Sequence, residues 1–517
     1  MGKIKMISAV EAANMVEDNM TIATSGFVAS GMPEALTKAL EQRFLDTGFP
    51  RNLTLFYAAA QGNRDGSGAD HFAHEQMTKR VIGGHWNMVP TLSKLVQENK
   101  IEGYNLPQGT LSQLFRDIAG HRPGTITHVG LNTFVDPRIE GGKMNEITTE
   151  DIVEVVDILG EEKLLYKSFP IHMALMRGTF ADEDGNITLE HEAVTLEATS
   201  TAQAVKNSGG KVIVQVEKVV EKGTLDPKLV KIPGIYVDAV VITERMEDHA
   251  QSVGCEYDGS MTGDFRIQLN SLVYPPMCAK KIIGRRAAME LKENITVNLG
   301  IGVPEYIAMV ANEEGIGDYM TLTVEAGPIG GIPQGGARFG ASINPQAIMD
   351  QAYQFDFYDG GGLDLAYLGL AQTDEEGNIN VSKFCSRIAG CGGFINITQN
   401  SKKVIFCGTF TAGGLKTDVV DGKLVILQEG REIKFRKRVE QITFSGSYAN
   451  KTGQSVSYIT ERAVFELRED GVYLTEVAPG IDIGTQILNL MEFEPKMDGE
   501  PKTMDERVFS CGLMGLK

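Results

Sequence analysis

Positive charge is in short supply in this 517-residue chain, where 49 Lys and Arg stand against 68 Asp and Glu for a formal net charge of −19. Polyanions are held by clustered positive charge, so this balance argues against a general nucleic-acid or anionic-membrane binder. It leaves room for a local basic pocket serving one phosphorylated ligand. Long apolar runs are missing too: no segment approaches the roughly 18 residues of a membrane helix. The N-terminal stretch MGKIKMISAVEAANMVEDN is amphipathic and acidic, without the apolar core of a signal peptide. Met6 occupies the place where myristoylation at Gly2 would require Ser or Thr. Cysteine is scarce, with six residues (255, 278, 385, 391, 407, 511) and no CxxC. That excludes a disulfide frame and predicts reduced, mostly buried thiols in a cytoplasmic protein. There is no GxSxG elbow, Walker A loop or HEXXH.

Glycine, by contrast, is abundant: 58 residues, about 11% of the chain against about 7% in average proteins. Short β-rich runs alternate with helical stretches, which predicts α/β layers. IKMISAVEAANMV reads as a first helix. MTIATSG reads as a strand leading to Pro33, which starts a helix with Leu36, Ala39 and Leu40 on one face. The pattern returns at ITVNLG, the Gly300-Ile301-Gly302 turn and the helix YIAMVANEEG. Asp182-Glu-Asp-Gly-Asn-Ile187 matches Asp374-Glu-Glu-Gly-Asn-Ile379, and Lys211-Val-Ile-Val matches Lys403-Val-Ile-Phe, both at an offset of 192. The Pro-Glu turns at 33–34 and 304–305 differ by 271 instead. The expectation is therefore two homologous α/β domains: residues 1–250 with an insertion of about 80 residues, a polar linker over 251–280, and residues 281–517.

Four places could carry chemistry. Glu325 follows the predicted strand DYMTLTV and precedes a segment, 327–340, in which six of 14 residues are glycine. A carboxylate at the carboxyl end of a strand stands where open α/β sheets bind ligands, and glycines let a ligand approach the backbone. A glutamate there could equally be a solvated or capping residue. Gly300-Ile-Gly302-Val-Pro-Glu lacks the third glycine of a dinucleotide fingerprint but could offer free amides to an anion. His71 and His74 sit at i and i+3, a possible metal pair for which no third ligand is identifiable; packing or polar surface is the plainer reading. Lys280-Lys281 and Arg285-Arg286 form the most basic run, either a solvated helix start or a phosphate contact.

The motifs together resemble those of the family I coenzyme A transferases. SGFVASGMPEAL (25–36) is similar to the family's GGF-x3-G-x-PE loop, NLPQGTL (105–111) to its PQGTL segment and GLNT (130–133) to a nearby turn. NLGIGVPEY (298–306) is similar to the turn opening its second domain, and AGCGGF (389–394) to a late glycine turn. The likeness extends to the C-terminal GLMGLK and is strongest to the family's long single-chain branch. One motif departs: Val324-Glu325-Ala326-Gly327 stands where the two-subunit and mitochondrial branch has S-E-N-G.

The resemblance implies two open α/β domains in one chain with the active site in the cleft between them. It implies transfer of CoA between short-chain acyl-CoA and free carboxylates of the propionate and acetate type, through a glutamyl-CoA thioester on Glu325. Gln108 would orient the glutamate, and the amides of Ile301, Gly302 and Gly392 would form the oxyanion hole. Gly26, Phe27, Gly31, Gly300, Gly327, Gly390 and Gly393 would line the substrate site. It implies no metal, no cofactor beyond CoA as substrate, no nucleic-acid or membrane partner, and a homo-oligomer. An acyl-CoA hydrolase using the same glutamate, or a non-catalytic sugar-phosphate or effector-binding protein on a related fold, are the alternatives.

Overall fold

The computed structural model describes residues 4–268, 274–385 and 387–517. The chain divides into two compact units, each discontinuous in sequence. One comprises Met1–Ile267 with Val324–Asp356 and Ser386–Asn396; the other comprises Gln268–Thr323, Phe357–Cys385 and Ile397–Lys517.

The first unit is built on an eight-stranded sheet. Its spatial order is Lys5–Met6, Ala239–Ile242, Lys211–Val216, Met173–Arg177, Thr21–Thr24, Leu53–Tyr57, Thr78–Gly83 and Glu102–Asn105. All seven pairings are parallel. Such a sheet needs cover on both faces, and its strands read accordingly as apolar runs: Met173–Arg177 is buried at every position. From Thr21–Thr24 the chain works outward to one edge, then returns to Met173–Arg177 and works outward to the other. The boundary between those two strands is a topological switch point, where loops at the carboxyl ends part and leave room for a ligand. The Gly26–Gly31 loop leaves the sheet there.

The second unit repeats this wiring. Its strands run in the order Met320–Thr323, Ile295–Leu299, Leu365–Gly369, Lys403–Cys407 and Ser455–Ile459, all parallel. Two antiparallel strands, Ala463–Arg468 and Gly471–Val477, extend it. The switch point falls between Ile295–Leu299 and Leu365–Gly369, and the Gly300–Gly302 turn leaves the sheet at that point. Between the strands corresponding to Met320–Thr323 and Leu365–Gly369, the first unit carries additional structure. It adds Thr78–Gly83 and Glu102–Asn105 to the sheet, plus an antiparallel layer of Gly124–Thr127, Glu161–Lys167 and Val153–Ile158. The core of the second unit centres on Ile282, Ile283, Val297, Ile307, Tyr367 and Ile405.

The two Asp-x-x-Gly-Asn segments fold into the same loop. In one, Asp182 Oδ1 accepts from the Asp184 and Asn186 N–H groups, both at 2.9 Å, and the Asn186 Oδ1 accepts from Gly234 N–H at 2.9 Å. In the other, Asp374 Oδ1 accepts from Glu376 and Asn378 N–H at 3.2 and 3.0 Å, and Asn378 Oδ1 accepts from Gly446 N–H at 3.0 Å.

Three local expectations change. Residues 5–6 form an edge strand rather than the start of the first helix, because their backbone pairs with Ala239 and Val240. The helix itself is Ala9–Asn14, opened by a capping box between Ser8 and Glu11. The thiols are free, as expected, but only Cys391 and Cys407 are buried. The expected linker 251–280 is folded onto the first unit as far as Ile267. Gln251 donates from Nε2 to His191 O at 2.8 Å, Ser252 Oγ to Ala337 O at 3.0 Å, and Met261 is fully buried. Residues 269–273 of that segment lie outside the described residues.

Candidate active site

Glu325 stands two residues beyond the strand Met320–Thr323, in a turn closed by the Gly327 N–H donating to Val324 O at 2.9 Å. Gly327 explains why a glycine must follow two residues later. Its φ is +126°, and a Cβ there would lie 2.1 Å from Met349 O. The neighbours Val324 and Ala326 are buried with Phe27, Val28, Ala29 and Leu196 in one apolar cluster, while Glu325 itself is half-buried. The structure therefore brings the Gly26–Gly31 loop and the Glu325 turn together. The glycine-rich segment beyond Glu325 packs on the same loop: the Phe27 and Phe339 rings are 5.6 Å apart. Val28 is held at φ +53°, a left-handed conformation that a β-branched residue adopts only when its surroundings force it. Its N–H donates to Ala60 O at 2.6 Å and its carbonyl accepts from Gly62 N–H at 2.8 Å. Strain of this kind concentrates in loops that handle ligands.

Gln108 is the first residue of the helix Gln108–Ala119, and it is buried. The N–H groups of a helix's first turn lack intrahelical partners. Here Gln108 N–H donates to Gly392 O at 3.0 Å and Gly109 N–H to Asn396 Oδ1 at 3.1 Å. The 389–393 loop is thus a cap for this helix. Asn105, fully buried, fastens it from behind: its Nδ2 donates to Gly83 O and Gly84 O at 3.0 and 2.6 Å, and its Oδ1 accepts from Cys391 N–H at 2.9 Å. Gly390 lets the loop pass close to His85 and Trp86, where a Cβ would lie 2.8 Å from His85 Cα. The Gly392 N–H, expected to face an oxyanion, donates to Gly84 O at 2.7 Å instead. Gly393 N–H has no hydrogen-bond partner among the described residues. His85, 3.5 Å from where a Gly392 Cβ would be, is kept neutral by burial, its pKa lowered to about 4.

In the second unit, the Gly300–Gly302 turn precedes the helix Glu305–Glu313. Gly300 N–H donates to Tyr367 O at 2.8 Å. The Ile301 and Gly302 N–H groups have no hydrogen-bond partner among the described residues; Ile301 is 55% exposed and Gly302 sits at φ +86°. Three of the four residues of the basic run nearby are occupied by their own neighbours, and Lys280 is exposed. Arg286 makes a two-pronged pair with Glu476, both contacts 2.7 Å, and Lys281 lies 2.8 Å from Glu313. Arg285 donates to the carbonyls of Arg507 and Gly512 at 2.7 and 2.8 Å. These three side chains hold the fold and are not free for a phosphate.

The histidine pair is also structural. His71 donates to Glu34 at 2.7 Å and to Glu41 at 2.6 Å from its two ring nitrogens, and His74 reaches Glu41 at 2.8 Å. Burial pulls the His71 pKa down, but the two carboxylates outweigh it and raise it to about 9. A protonated ring has no lone pair to give a metal.

Sequence reading missed a buried set behind Gln108: Gln351, Ser112 and Glu197. Ser112 was within reach, being four residues from Gln108 and so on the same helical face. Glu197 and Gln351 lie 154 residues apart, and no local pattern marks either.

Comparison with known proteins identifies relatives of the chain. A profile of the coenzyme A transferase family matches residues 6–243. The chain is 45% identical to the acetate CoA-transferase YdiF of Escherichia coli K12, over 99% of this chain and 97% of that one. It is 46% identical to the caffeate CoA-transferase of Acetobacterium woodii, over 99% and 98%. The crystal structure of the acyl-CoA transferase YdiF from E. coli O157:H7, a thioester complex with CoA, superposes with a TM-score of 0.94 at 44% identity, covering 99% of this chain and 98% of that one. With a shared fold over nearly its whole length, two repeated α/β units and the motif glutamate on its turn, this chain belongs to the coenzyme A transferase family.

Proposed function

We propose that the chain transfers CoA from a short-chain acyl-CoA to a free short-chain carboxylate, of the acetate and propionate type, through a glutamyl-CoA thioester on Glu325. The observation that carries this reading is the Glu325 turn, in a chain 44% identical to one solved as a thioester with CoA. A glutamate in water, with a pKa of about 4.3, is ionised at neutral pH and attacks without a general base. The Glu325 carboxylate adds to the acyl-CoA carbonyl, the C–S bond breaks, and CoA thiolate leaves a mixed anhydride. The thiolate then attacks the glutamyl carbonyl and expels the first acid, leaving the thioester. An incoming carboxylate runs the steps in reverse. The thioester's free energy is retained, so the chemistry calls for neither ATP nor a metal.

Gln108 orients the glutamate in this reading, and Gly26, Phe27, Gly31, Gly300, Gly327 and Gly390 are the residues assigned to the lining of the substrate site. The unpartnered amides of Ile301 and Gly302 have the character of oxyanion donors, each worth about 2.7–4 kcal/mol in comparable sites. In the 389–393 loop that character belongs to Gly393, and Gly392 instead holds Gln108 through its carbonyl. CoA enters as substrate, with no further cofactor, and the working form is a cytoplasmic homo-oligomer that sedimentation would register.

Incubation with acetyl-CoA and no acceptor, followed by peptide mass analysis, tests the mechanism. A CoA adduct is expected on the peptide carrying Glu325, and its absence would sink the thioester. Glu325→Ala is expected to abolish transfer with the fold intact; unchanged turnover would reject the assignment. Release of free CoA without any acceptor would mean hydrolysis instead. A panel of acetate, propionate, butyrate, lactate, acrylate and acetoacetate, extended to a hydroxycinnamate, defines the acceptor range.

A further inference from the structure

Behind Gln108 lies a chain of buried polar groups that the transfer steps above do not use. Gln108 Nε2 donates to Gln351 Oε1 at 3.1 Å. Gln351 Nε2 donates to Glu197 Oε2 at 3.0 Å and also to Ser112 Oγ, and Ser112 Oγ donates to the same Glu197 oxygen at 3.2 Å. All four side chains are buried, and the other Glu197 oxygen has no hydrogen-bond partner among the described residues. Glu197 is the residue before the helix Ala198–Asn207, and it does not use its carboxylate to cap that helix. A carboxyl taken out of water and left half-satisfied is costly. This one is directed at an amide whose other end holds Gln108.

The chain has a direction. An ionised carboxylate only accepts, so it turns the NH2 of Gln351 toward itself and the carbonyl of Gln351 toward Gln108. That carbonyl takes the Gln108 NH2, and Gln108 Oε1 is left 3.7 Å from the Cβ position of Gly392. A protonated carboxyl can donate to the Gln351 carbonyl instead. Both amides then turn over, and Gln108 presents its NH2 at that turn. We propose that Glu197 is a positioning residue for acyl transfer: acting through Gln351, it decides which end of the Gln108 amide faces the reacting groups. This rests on the role proposed above for Gln108.

The surroundings of Glu197 fit a group that changes state near neutrality. Burial pushes its pKa up to about 7, against the hydrogen bond from Ser112, and the Asp350 charge adds to the rise. Asp350, which precedes Gln351, is itself held by Lys231 at 3.0 Å and Thr195 Oγ1 at 2.8 Å. From the helix Gln108–Ala119, Glu197 meets the uncharged Ser112. No cation among the described residues hydrogen-bonds to it.

The test is steady-state transfer from acetyl-CoA to propionate between pH 5.5 and 9. It uses wild type, Glu197→Gln, Gln351→Met, Gln108→Ala and the double variant Glu197→Gln with Gln108→Ala. Wild-type kcat is expected to inflect near pH 7, and Glu197→Gln and Gln351→Met to lose that inflection. Each should lower kcat about tenfold with the acetyl-CoA KM within about twofold, as for a lost orientation. In the Gln108→Ala background, Glu197→Gln should have less than about a twofold further effect, because a positioning residue acts through its target. A wild-type pH profile and kcat in Glu197→Gln, or fully additive losses in the double variant, would overturn the proposal. Wild-type turnover in Gln108→Ala would overturn the role of Gln108 itself, which separates that failure from this one. If Glu197→Gln fails to fold, as judged by circular dichroism, Gln351→Met carries the same expectation, since it cuts the chain at its middle link.

Discussion

His71 donates from both ring nitrogens to Glu34 and Glu41, and it holds together two carboxylates that would otherwise repel across two turns of the helix Glu34–Thr47. Its folded pKa of about 9 lies above the unfolded value near 6.5. The stability it contributes is therefore complete below pH 6.5 and is lost as pH climbs through 9. His71→Asn is expected to cost about 2 kcal/mol at pH 6, at the low side for a buried pair because Glu41 keeps contact with water. Urea unfolding at pH 6 and pH 10 checks this. A gap between variant and wild type that fails to narrow at pH 10 would refute the ion-pair account. Gly327 makes a second prediction at this scale. An alanine there meets both a φ of +126° and a contact of 2.1 Å to Met349 O. Gly327→Ala is expected to cost about 1–3 kcal/mol from backbone strain and to reduce transfer by displacing Glu325, which melting and turnover measurements would detect together.

Among the elements, the two Asp-x-x-Gly-Asn loops are the clearest units. Each uses one aspartate to gather three donors from its own loop, Asp374 accepting a fourth from Val439 N–H, and each aims its asparagine at a distant glycine N–H. Asp182→Ala and Asp374→Ala are each expected to destabilise by about 1.5–3 kcal/mol, the range for hydrogen bonds to a charged acceptor. Near-equal losses in denaturant would show that the loops are equivalent; a silent variant would deny one of them its structural part. A second element-level expectation concerns the loop 389–393 and its seat on 83–87. The single tryptophan, Trp86, is fully buried there, and its backbone N–H donates to Ala389 O at 2.8 Å. Acetyl-CoA added without acceptor should change Trp86 emission in proportion to thioester formed. Glu325→Ala should show no such change, and an equal response in that variant would separate the signal from the covalent step.

For the molecule as a whole, the charge of −19 still weighs against polyanion partners. No mobility shift with duplex DNA is expected at about 150 mM salt, where only clustered positive charge sustains non-specific binding. A shift at micromolar protein would contradict that. Much of the fold is legible along the chain, because the cues are local. Strand runs, Pro-Glu helix starts and the paired Asp-x-x-Gly-Asn strings each depend on neighbours a few residues away, and all reappear as folded elements. Residues 5–6 were misread because their strand character comes from pairing with Ala239 and Val240. The basic run was misjudged for the same reason, since Glu476 and Glu313 lie far from it in sequence.

The sequence by itself determined the α/β class, the internal repeat, the family motifs and the glutamate at a strand end, since spacing and residue type are sufficient for each. Only the tertiary structure decided the rest. It showed that the Gly392 amide is committed to Gly84 and its carbonyl to Gln108, that His71 is a salt-bridged cation, and that Glu197 and Gln351 stand behind Gln108. Each of these depends on which donor meets which acceptor after segments 30 or more residues apart have come together. Hydrogen-bond satisfaction in a buried site is a property of that meeting, and it leaves no periodic trace in the chain.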